Sequence, residues 1–170
     1  MANIFVTSDT QLCHENIIKF TDSSGNRIRP FNNIWEMNET ILQHWNSVVK
    51  PNDIVWHLGD VFMGNRKSAG AILNKLHGKK YLIVGNHDHL NGKEFLTLKE
   101  HFQEIHFWQV WKKEKLILSH VPLREDTFRP KGDKYRNIHG HIHQNNSPDG
   151  PYRNVCVEQT NYYPLSLEEL

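Results

Sequence analysis

The chain has 170 residues, and 20 lysines and arginines against 19 aspartates and glutamates leave a net charge of +1 with histidine neutral. This length suits one domain over residues 1–170, and the near balance of charge gives no support for a nuclease with a long basic groove. Two cysteines are too few for a disulfide framework, and no apolar run approaches the roughly 18 residues of a membrane span. An early aspartate and the lack of a basic N-terminal segment argue against a signal peptide, so we expect a cytoplasmic protein without membrane contact. The sequence gives no sign of an obligate protein partner.

The first half of the chain alternates strand-like and helix-like patterns. Short β-type runs and runs with helical spacing of apolar residues follow one another at residues 4–6, 37–49, 53–58, 68–76, 81–84 and 93–102. A strand-helix order repeated in this way favours a parallel sheet with right-handed crossovers.

The second half has short β-type runs without a long helix between them. These runs lie at residues 107–111, 116–119, 137–139 and 154–157. They predict a second sheet that is either mixed or antiparallel.

Polar residues follow the predicted strands at the points where the strands end. They are Asp9, Gly59-Asp60, Gly85-Asn86-His87-Asp88, Ser119-His120 and Gly140-His141-Ile142-His143. In open α/β sheets ligands bind outside the carboxyl ends of the strands, so these side chains are expected at one rim. Twelve histidines against two cysteines favour a nitrogen and oxygen site for divalent metals over a thiolate zinc site.

Each of these residues also has an ordinary structural explanation. Asp9, Asp60 and Asn86 could be turn formers or helix caps, which is the usual role of aspartate and asparagine after a strand. Taken together and in this order, they favour the metal site. His139 is expected to pack within a strand or to support the metal ligands, and His57 is expected to be a partly buried strand residue rather than a ligand.

The ordered set Asp9-x-Gln11, Gly59-Asp60, Gly85-Asn86-His87-Asp88, His120 and Gly140-His141-x-His143 resembles the calcineurin-like metallophosphoesterases. Residues 9–18 are similar to the start of small phage and bacterial members of that family. The resemblance implies an α/β fold, a four-layer αββα sandwich with two mixed β-sheets flanked by helices. It also implies two divalent metal ions, with Mn²⁺ the first choice and Fe, Zn, Ni or Co as alternatives.

Roles for single residues follow from the same resemblance. Asp9, Gln11 and His143 would hold one metal, Asn86, His120 and His141 would hold the second, and Asp60 would bridge them. His87 would act at the phosphate as a catalytic residue, with Asp88 orienting it. The implied reaction is hydrolysis of a phosphomonoester or phosphodiester by a metal-activated hydroxide, and a nucleotide is one candidate substrate.

Position 11 departs from the family pattern, which has histidine where this chain has Gln11. Glutamine could still ligate through its amide oxygen and give a weaker site. The first site could instead be lost, or Gln11 could face the substrate while His14 takes its place as a ligand. A rival hypothesis is a catalytically impaired binding or scaffold protein that retains the fold.

Two further residues are candidates for substrate binding. His14 follows the first motif at the start of a predicted helix, where it could contact substrate. Arg124 begins a loop that also carries Arg129, Lys131, Lys134 and Arg136. This loop is either a solvated surface loop or an electropositive rim that receives phosphate.

Overall fold

The structure is a computed structural model that describes residues 2–128 and 135–170. Its strands in chain order are β1 (Ile4–Thr7), β2 (Ile54–His57), β3 (Lys79–Ile83), β4 (Glu104–His106), β5 (Trp108–Trp111), β6 (Leu116–Ser119), β7 (Arg136–His139), β8 (Tyr152–Asn154) and β9 (Leu165–Ser166). Its α-helices are α1 (Ile34–Val48), α2 (Arg66–Leu73), α3 (Gly92–His101) and the one-turn helix α4 (Glu125–Phe128).

The strands of the described residues form two mixed sheets. The first has the order β4-β3-β2-β1-β9, in which β9 alone runs antiparallel to its neighbour. The second has the order β5-β6-β7-β8, with β5 antiparallel to β6 and the other pairs parallel. The expected two mixed sheets with flanking helices are confirmed.

One core lies between the first sheet and the helices α1 to α3. Helix α1 begins at Asn33, whose side chain accepts a hydrogen bond from the Glu36 backbone nitrogen at 2.9 Å. Its buried face contributes Met37, Ile41 and Trp45, which join apolar residues of β1, β2 and β3. This apolar stripe at helical spacing explains why the segment forms a helix and where it packs.

A second core joins the two sheets face to face. Val6, Leu58 and Ile83 come from the first sheet and the segments that follow it, and Leu118 and Ile138 come from the second sheet. Since both sheets bury the same kind of apolar face here, the carboxyl ends of β1, β2, β3, β6 and β7 are brought to one edge of the sandwich.

Three local features differ from the sequence-based expectations. Strand β4 was not predicted and extends the first sheet, and β9 adds a short antiparallel edge beside β1. Residues 154–157 were predicted as a strand, whereas the strand is Tyr152–Asn154 and a 3₁₀ helix covers Val157–Gln159. The Asn154 side chain accepts a hydrogen bond from the Cys156 nitrogen and turns the chain toward Ser8, which ends the pairing with β7.

The described residues contain no helix that is both long enough and apolar enough to cross a membrane.

The core between the sheets predicts a large effect of truncating Leu118, which is fully buried. Leu118→Ala is expected to lower the free energy of unfolding by about 2–5 kcal/mol, because it removes apolar contacts and leaves a cavity. The matched control is Leu96→Ala, since Leu96 is 64% exposed on α3. That change is expected to stay within about 0.5 kcal/mol in the same urea titration. Equal effects of the two variants would contradict the packing described here.

Candidate metal centre

The centre is built on backbone turns that ordinary residues rarely adopt. Asp9 and Asp60 follow the adjacent parallel strands β1 and β2 and have φ of 58° and 57°. Gln11 and Cys13 after β1, and His141 and His143 after β7, also have positive φ. Such conformations cost energy for residues other than glycine, and they persist where the surrounding structure enforces them.

Two glycines permit the close approach of these loops. A Cβ atom on Gly85 would collide with the Asp60 carboxylate, and one on Gly140 would collide with the side chains of Ser8 and Asp9. Glycine is therefore required at both positions for the loops to meet. The geometry explains why glycine precedes the polar residues in the sequence.

Asp9, Asp60 and His120 form the core of the centre. They are buried, and each offers one ligand atom within 4.8 Å of the others. A carboxylate charge out of water is costly unless a positive charge compensates it. Two buried carboxylates and an imidazole at this spacing could therefore hold a metal ion.

A first set of ligand atoms converges on one side of Asp60. The Nε2 atom of His120 lies 2.8 Å from Oδ1 of Asn86 and 3.2 Å from Nδ1 of His141, which itself lies 2.9 Å from the Asn86 oxygen. The Nδ1–H of His120 donates to the Leu58 carbonyl at 2.7 Å, so in the neutral ring Nε2 carries a lone pair. The lone pairs of His120 Nε2 and Asn86 Oδ1 face one another and suit a cation at this point, and Nδ1 of His141 adds a third in the tautomer that carries its proton on Nε2.

A second set lies on the other side, around Asp9. The buried atoms Oδ1 of Asp9 and Oε1 of Gln11 have no hydrogen-bond partner among the described residues. Nε2 of His143 lies 3.8 Å from that Asp9 oxygen, and Nδ1 of His143 bonds to the Glu158 carboxylate at 2.9 Å. A histidine held by a carboxylate on one nitrogen while the other points at a cluster is typical of a metal site.

The remaining hydrogen bonds of Asp9 hold its carboxylate in place. Oδ2 accepts from the Ser8 hydroxyl at 2.5 Å, the His141 nitrogen at 2.9 Å and the Cys156 thiol at 3.2 Å. Burial first and the Asp9 charge second raise the pKa of Cys156, so the thiol keeps its proton and donates. Neither Ser8 nor Cys156 was expected from the sequence to be part of the site.

A family model for calcineurin-like phosphoesterases matches residues 2–169 of the chain. The chain belongs to the calcineurin-like phosphoesterase family. An uncharacterized protein of Methanocaldococcus jannaschii is 35% identical over 99% of this chain and 89% of its own length. The gene 66 protein of Mycobacterium phage L5 is 26% identical over 84% of this chain and 78% of its own length.

A solved structure is similar as well. A protein of unknown function from Aquifex aeolicus is 28% identical, with a TM-score of 0.70 over 99% of this chain and 97% of the solved one. The resemblance to small members of the family is thereby confirmed.

Arg29 is a feature of this family member that the sequence analysis missed. Its side chain is fully buried, and its guanidinium donates to the carbonyl oxygens of Asp9 and Thr10 at 2.6 and 3.0 Å. It also pairs with Glu158 at 2.7 Å, which in turn accepts from His143. Burial opposes ionisation of Glu158, but Arg29 and His143 hold the pKa of its carboxyl below the ordinary value.

The pKa values of the two histidines in the last motif move in opposite directions. Burial disfavours the charged form of His143, but the hydrogen bond and charge of Glu158 outweigh burial and raise its pKa. Burial, reinforced by the neighbouring His120, lowers the pKa of His141. The neutral ring of His141 is the form that can offer a lone pair to a metal.

The Asp88 carboxylate contacts backbone amides, whereas the resemblance implied that Asp88 orients His87. Its carboxylate accepts hydrogen bonds from the backbone nitrogens of Asp60, Val61 and Gly85 at 2.8, 3.0 and 2.8 Å. These three bonds occupy Asp88 in holding two loops together. His87 is exposed, and its backbone nitrogen donates to Oδ1 of Asp60 at 2.9 Å.

The two candidate substrate-binding residues lie in different places. His14 lines a small cavity of about 150 Å³ together with Gln11, His87 and His143. Arg124 is exposed, pairs with Asp126 at 2.6 Å and lines a separate cleft with Pro148 and Tyr152. The structure thus brings His14 to the cluster but not Arg124. Arg129, Lys131 and Lys134 lie outside the described residues.

His57 and His139 end the strands β2 and β7, and His57 is buried where a partly buried residue was expected. His57 contacts the Thr10 hydroxyl at 2.9 Å, and burial lowers its pKa to about 3. His139 contacts the Gly140 carbonyl at 2.9 Å and the Ser147 hydroxyl at 3.0 Å. Both rings therefore support loops that carry the cluster.

The buried Arg29–Glu158 pair predicts a large loss of stability on removal of the acid. Glu158→Gln is expected to lower the free energy of unfolding by about 3 kcal/mol, since it leaves the Arg29 charge buried without its counterion. The matched control is Asp126→Asn in the exposed pair with Arg124, expected to cost less than about 1 kcal/mol. Chemical denaturation of both variants measures these free energies of unfolding. Equal losses of free energy in the two variants would refute a structural role of the buried pair.

Proposed function

We propose that this chain is a metal-dependent phosphoesterase that hydrolyses phosphomonoesters or phosphodiesters with two divalent ions. The observation that carries the proposal is the convergence of unpartnered oxygens and ring nitrogens on Asp9 and Asp60. Oxygen and imidazole ligands of this kind suit Mn²⁺, and Fe, Zn, Ni and Co are alternatives. Family membership supports the reaction class.

Asp60 is proposed to serve both ions. Its Oδ1 atom lies 3.7 Å from Nε2 of His120, and its Oδ2 atom accepts from Nε2 of Gln11 at 3.1 Å. The two oxygens of one carboxylate thus face the two ligand sets. Asn86, His120 and His141 would complete one site, and Asp9, Gln11 and His143 would complete the other.

When bound, the divalent ions would supply Lewis acidity and lower the pKa of water, which provides a nucleophile near neutral pH. His87 is proposed as the catalytic residue of the protein itself. Its ring lines the small cavity beside Gln11, His14 and His143, where the leaving group of a phosphate ester could reach it. An imidazole nitrogen there could give a proton to the departing oxygen or stabilise its charge.

Asp88 is proposed to act only by positioning the loops of Asp60 and Gly85. His14 is proposed to face the substrate phosphate, since it shares the cavity with His87. Burial first, then the nearby Arg29, His87 and His143, lower the pKa of His14. A neutral ring could donate or accept a single hydrogen bond at an ester oxygen.

Removing a metal ligand, His120, and removing the proposed catalytic residue, His87, are expected to have different effects on metal content and activity. After loading with Mn²⁺, the protein should hold about two ions per chain by elemental mass spectrometry and hydrolyse p-nitrophenyl phosphate or its diester. His120→Ala should lose metal and activity together. His87→Ala should keep its metal and lose kcat by about 100-fold or more.

The control is His106→Ala, which removes a histidine paired with Glu104 at the sheet edge and should change neither quantity. A wild-type protein that binds no metal would contradict the proposal. Full metal content without hydrolysis of either ester would favour the rival binding or scaffold protein.

Gln11 is expected to make the site around Asp9 the weaker of the two. Its amide nitrogen is engaged by Asp60, so only the neutral oxygen is left to ligate. Gln11→His should tighten binding of the weaker Mn²⁺ ion about tenfold or more, because imidazole is the better ligand. The matched control is Gln43→His on the exposed face of α1, which should leave the affinities for both Mn²⁺ ions unchanged in calorimetry. An unchanged affinity in Gln11→His would indicate that position 11 does not ligate.

A further inference from the structure

A groove of about 710 Å³ lies on the outer face of the second sheet, where β5 pairs with β6. In this ladder Trp108 lies opposite Ser119 and Val110 opposite Ile117, and these residues line the groove. Phe128 of α4 lies along its other side. The inward residues of the same strands, such as Leu118, pack against the first sheet instead.

Four apolar side chains that line the groove are exposed to solvent. Phe107 and Trp108 are 66% and 64% exposed, and Val110 and Val121 are also exposed. Of the described helices, the one-turn α4 alone contributes to this lining. A contiguous exposed apolar patch of this kind marks a binding surface more often than a chance arrangement.

The groove is continuous with the candidate metal centre. Asn86 and His120 line the groove and also belong to the ligand set beside Asp60. A molecule whose phosphate lies at the cluster can therefore extend its organic part between Trp108 and Val121. Because Asn86 and His120 belong to both the groove and the ligand set, we favour a phosphate ester as the occupant of the groove.

The lining indicates the chemistry of that organic part. In the part of the chain that the structure describes, no lysine, arginine, aspartate or glutamate lines the groove. The Ser119 hydroxyl donates to the Val121 carbonyl and accepts from Asn137, so it is not free to read polar groups. Aromatic and branched apolar side chains bind a flat ring well, through buried area and ring stacking.

We propose that this groove binds an aromatic ring attached to the phosphate, so that aryl phosphate esters are the substrate class. The inference rests on the proposed phosphoesterase function and adds a binding site to it. Trp108 and Phe107 are the specificity-determining residues, and Asn86 and His120 mark the end of the groove where the phosphate would lie.

The test compares two phosphonates that cannot be hydrolysed at their P–C bond. Phenylphosphonate and methylphosphonate are titrated into the Mn²⁺-loaded protein by calorimetry, after its metal content has been measured. Phenylphosphonate should bind about tenfold more tightly, the ratio expected from removing roughly 60 Å² of apolar surface from water.

Substitutions in the groove test whether it is the source of the tighter binding of phenylphosphonate. Trp108→Ser should reduce the preference to about twofold without changing the Kd of methylphosphonate, because it removes apolar surface and leaves the phosphate end intact. Phe107→Ser should act in the same direction and serves as a second variant. Leu96→Ser removes an apolar side chain of equal exposure on α3 and should leave both affinities unchanged.

Several results would overturn the proposal. They are equal affinity for the two phosphonates, a preference that survives both substitutions, or no binding of either phosphonate by protein that holds metal. A dimer of the wild type that Trp108→Ser converts to a monomer in light scattering would assign the groove to a second copy. Protein without metal would refute the phosphoesterase function itself, and the metal measurement separates that failure from the others.

Discussion

The carboxylates of Asp9 and Asp60 lie close together and out of water, and much of the chain serves to hold them there. Two like charges in a buried place repel each other and lose their hydration, so such a pair is stable only with compensating charge or donors. Part of that compensation is present in the hydroxyl, thiol and amide donors that reach Asp9. The unpartnered Asp9 oxygen, together with the ring nitrogens that face the pair, leaves room for cations to supply the rest. The strained turns and the two tightly packed glycines are the backbone consequence of this requirement.

The Arg29–Glu158 pair connects this centre to parts of the chain that are distant in sequence. The Arg29 guanidinium connects the backbone carbonyls of the first motif to Glu158, which follows Arg29 by 129 residues. Glu158 also accepts a hydrogen bond from His143 and orients its ring. A buried ion pair is weak evidence for net stability, since desolvation offsets much of its attraction. Its clearer consequence is positional, because Arg29 keeps its counterion only while the segments that carry Arg29 and Glu158 meet. The pair thus fixes the position of the ligand set around Asp9.

The two sides of the centre are chemically unequal. Around His120, the Leu58 carbonyl fixes which ring nitrogen offers its lone pair, and a second imidazole and an amide oxygen lie within hydrogen-bonding distance. Around Asp9, a glutamine amide replaces the imidazole expected of the family, and its nitrogen is already engaged by Asp60. The apolar groove borders the first of these sides, because Asn86 and His120 belong to both.

The fold class, the order of the strands and helices in the first half and the family could all be predicted from the amino-acid sequence. These follow from local periodicity and from polar residues at strand ends, and parallel strands bring those ends together, as the cluster of Asp9, Asp60 and His120 illustrates. Which atoms face the cluster depends instead on how distant segments pack. Arg29 sits in a turn-rich segment typical of surface loops, and nothing local to it indicates burial against Glu158. Asp88 adjoins His87 in sequence, yet its side chain turns away to backbone amides of the neighbouring loops. Side-chain direction and long-range pairing depend on packing between distant segments, and local sequence patterns do not encode it.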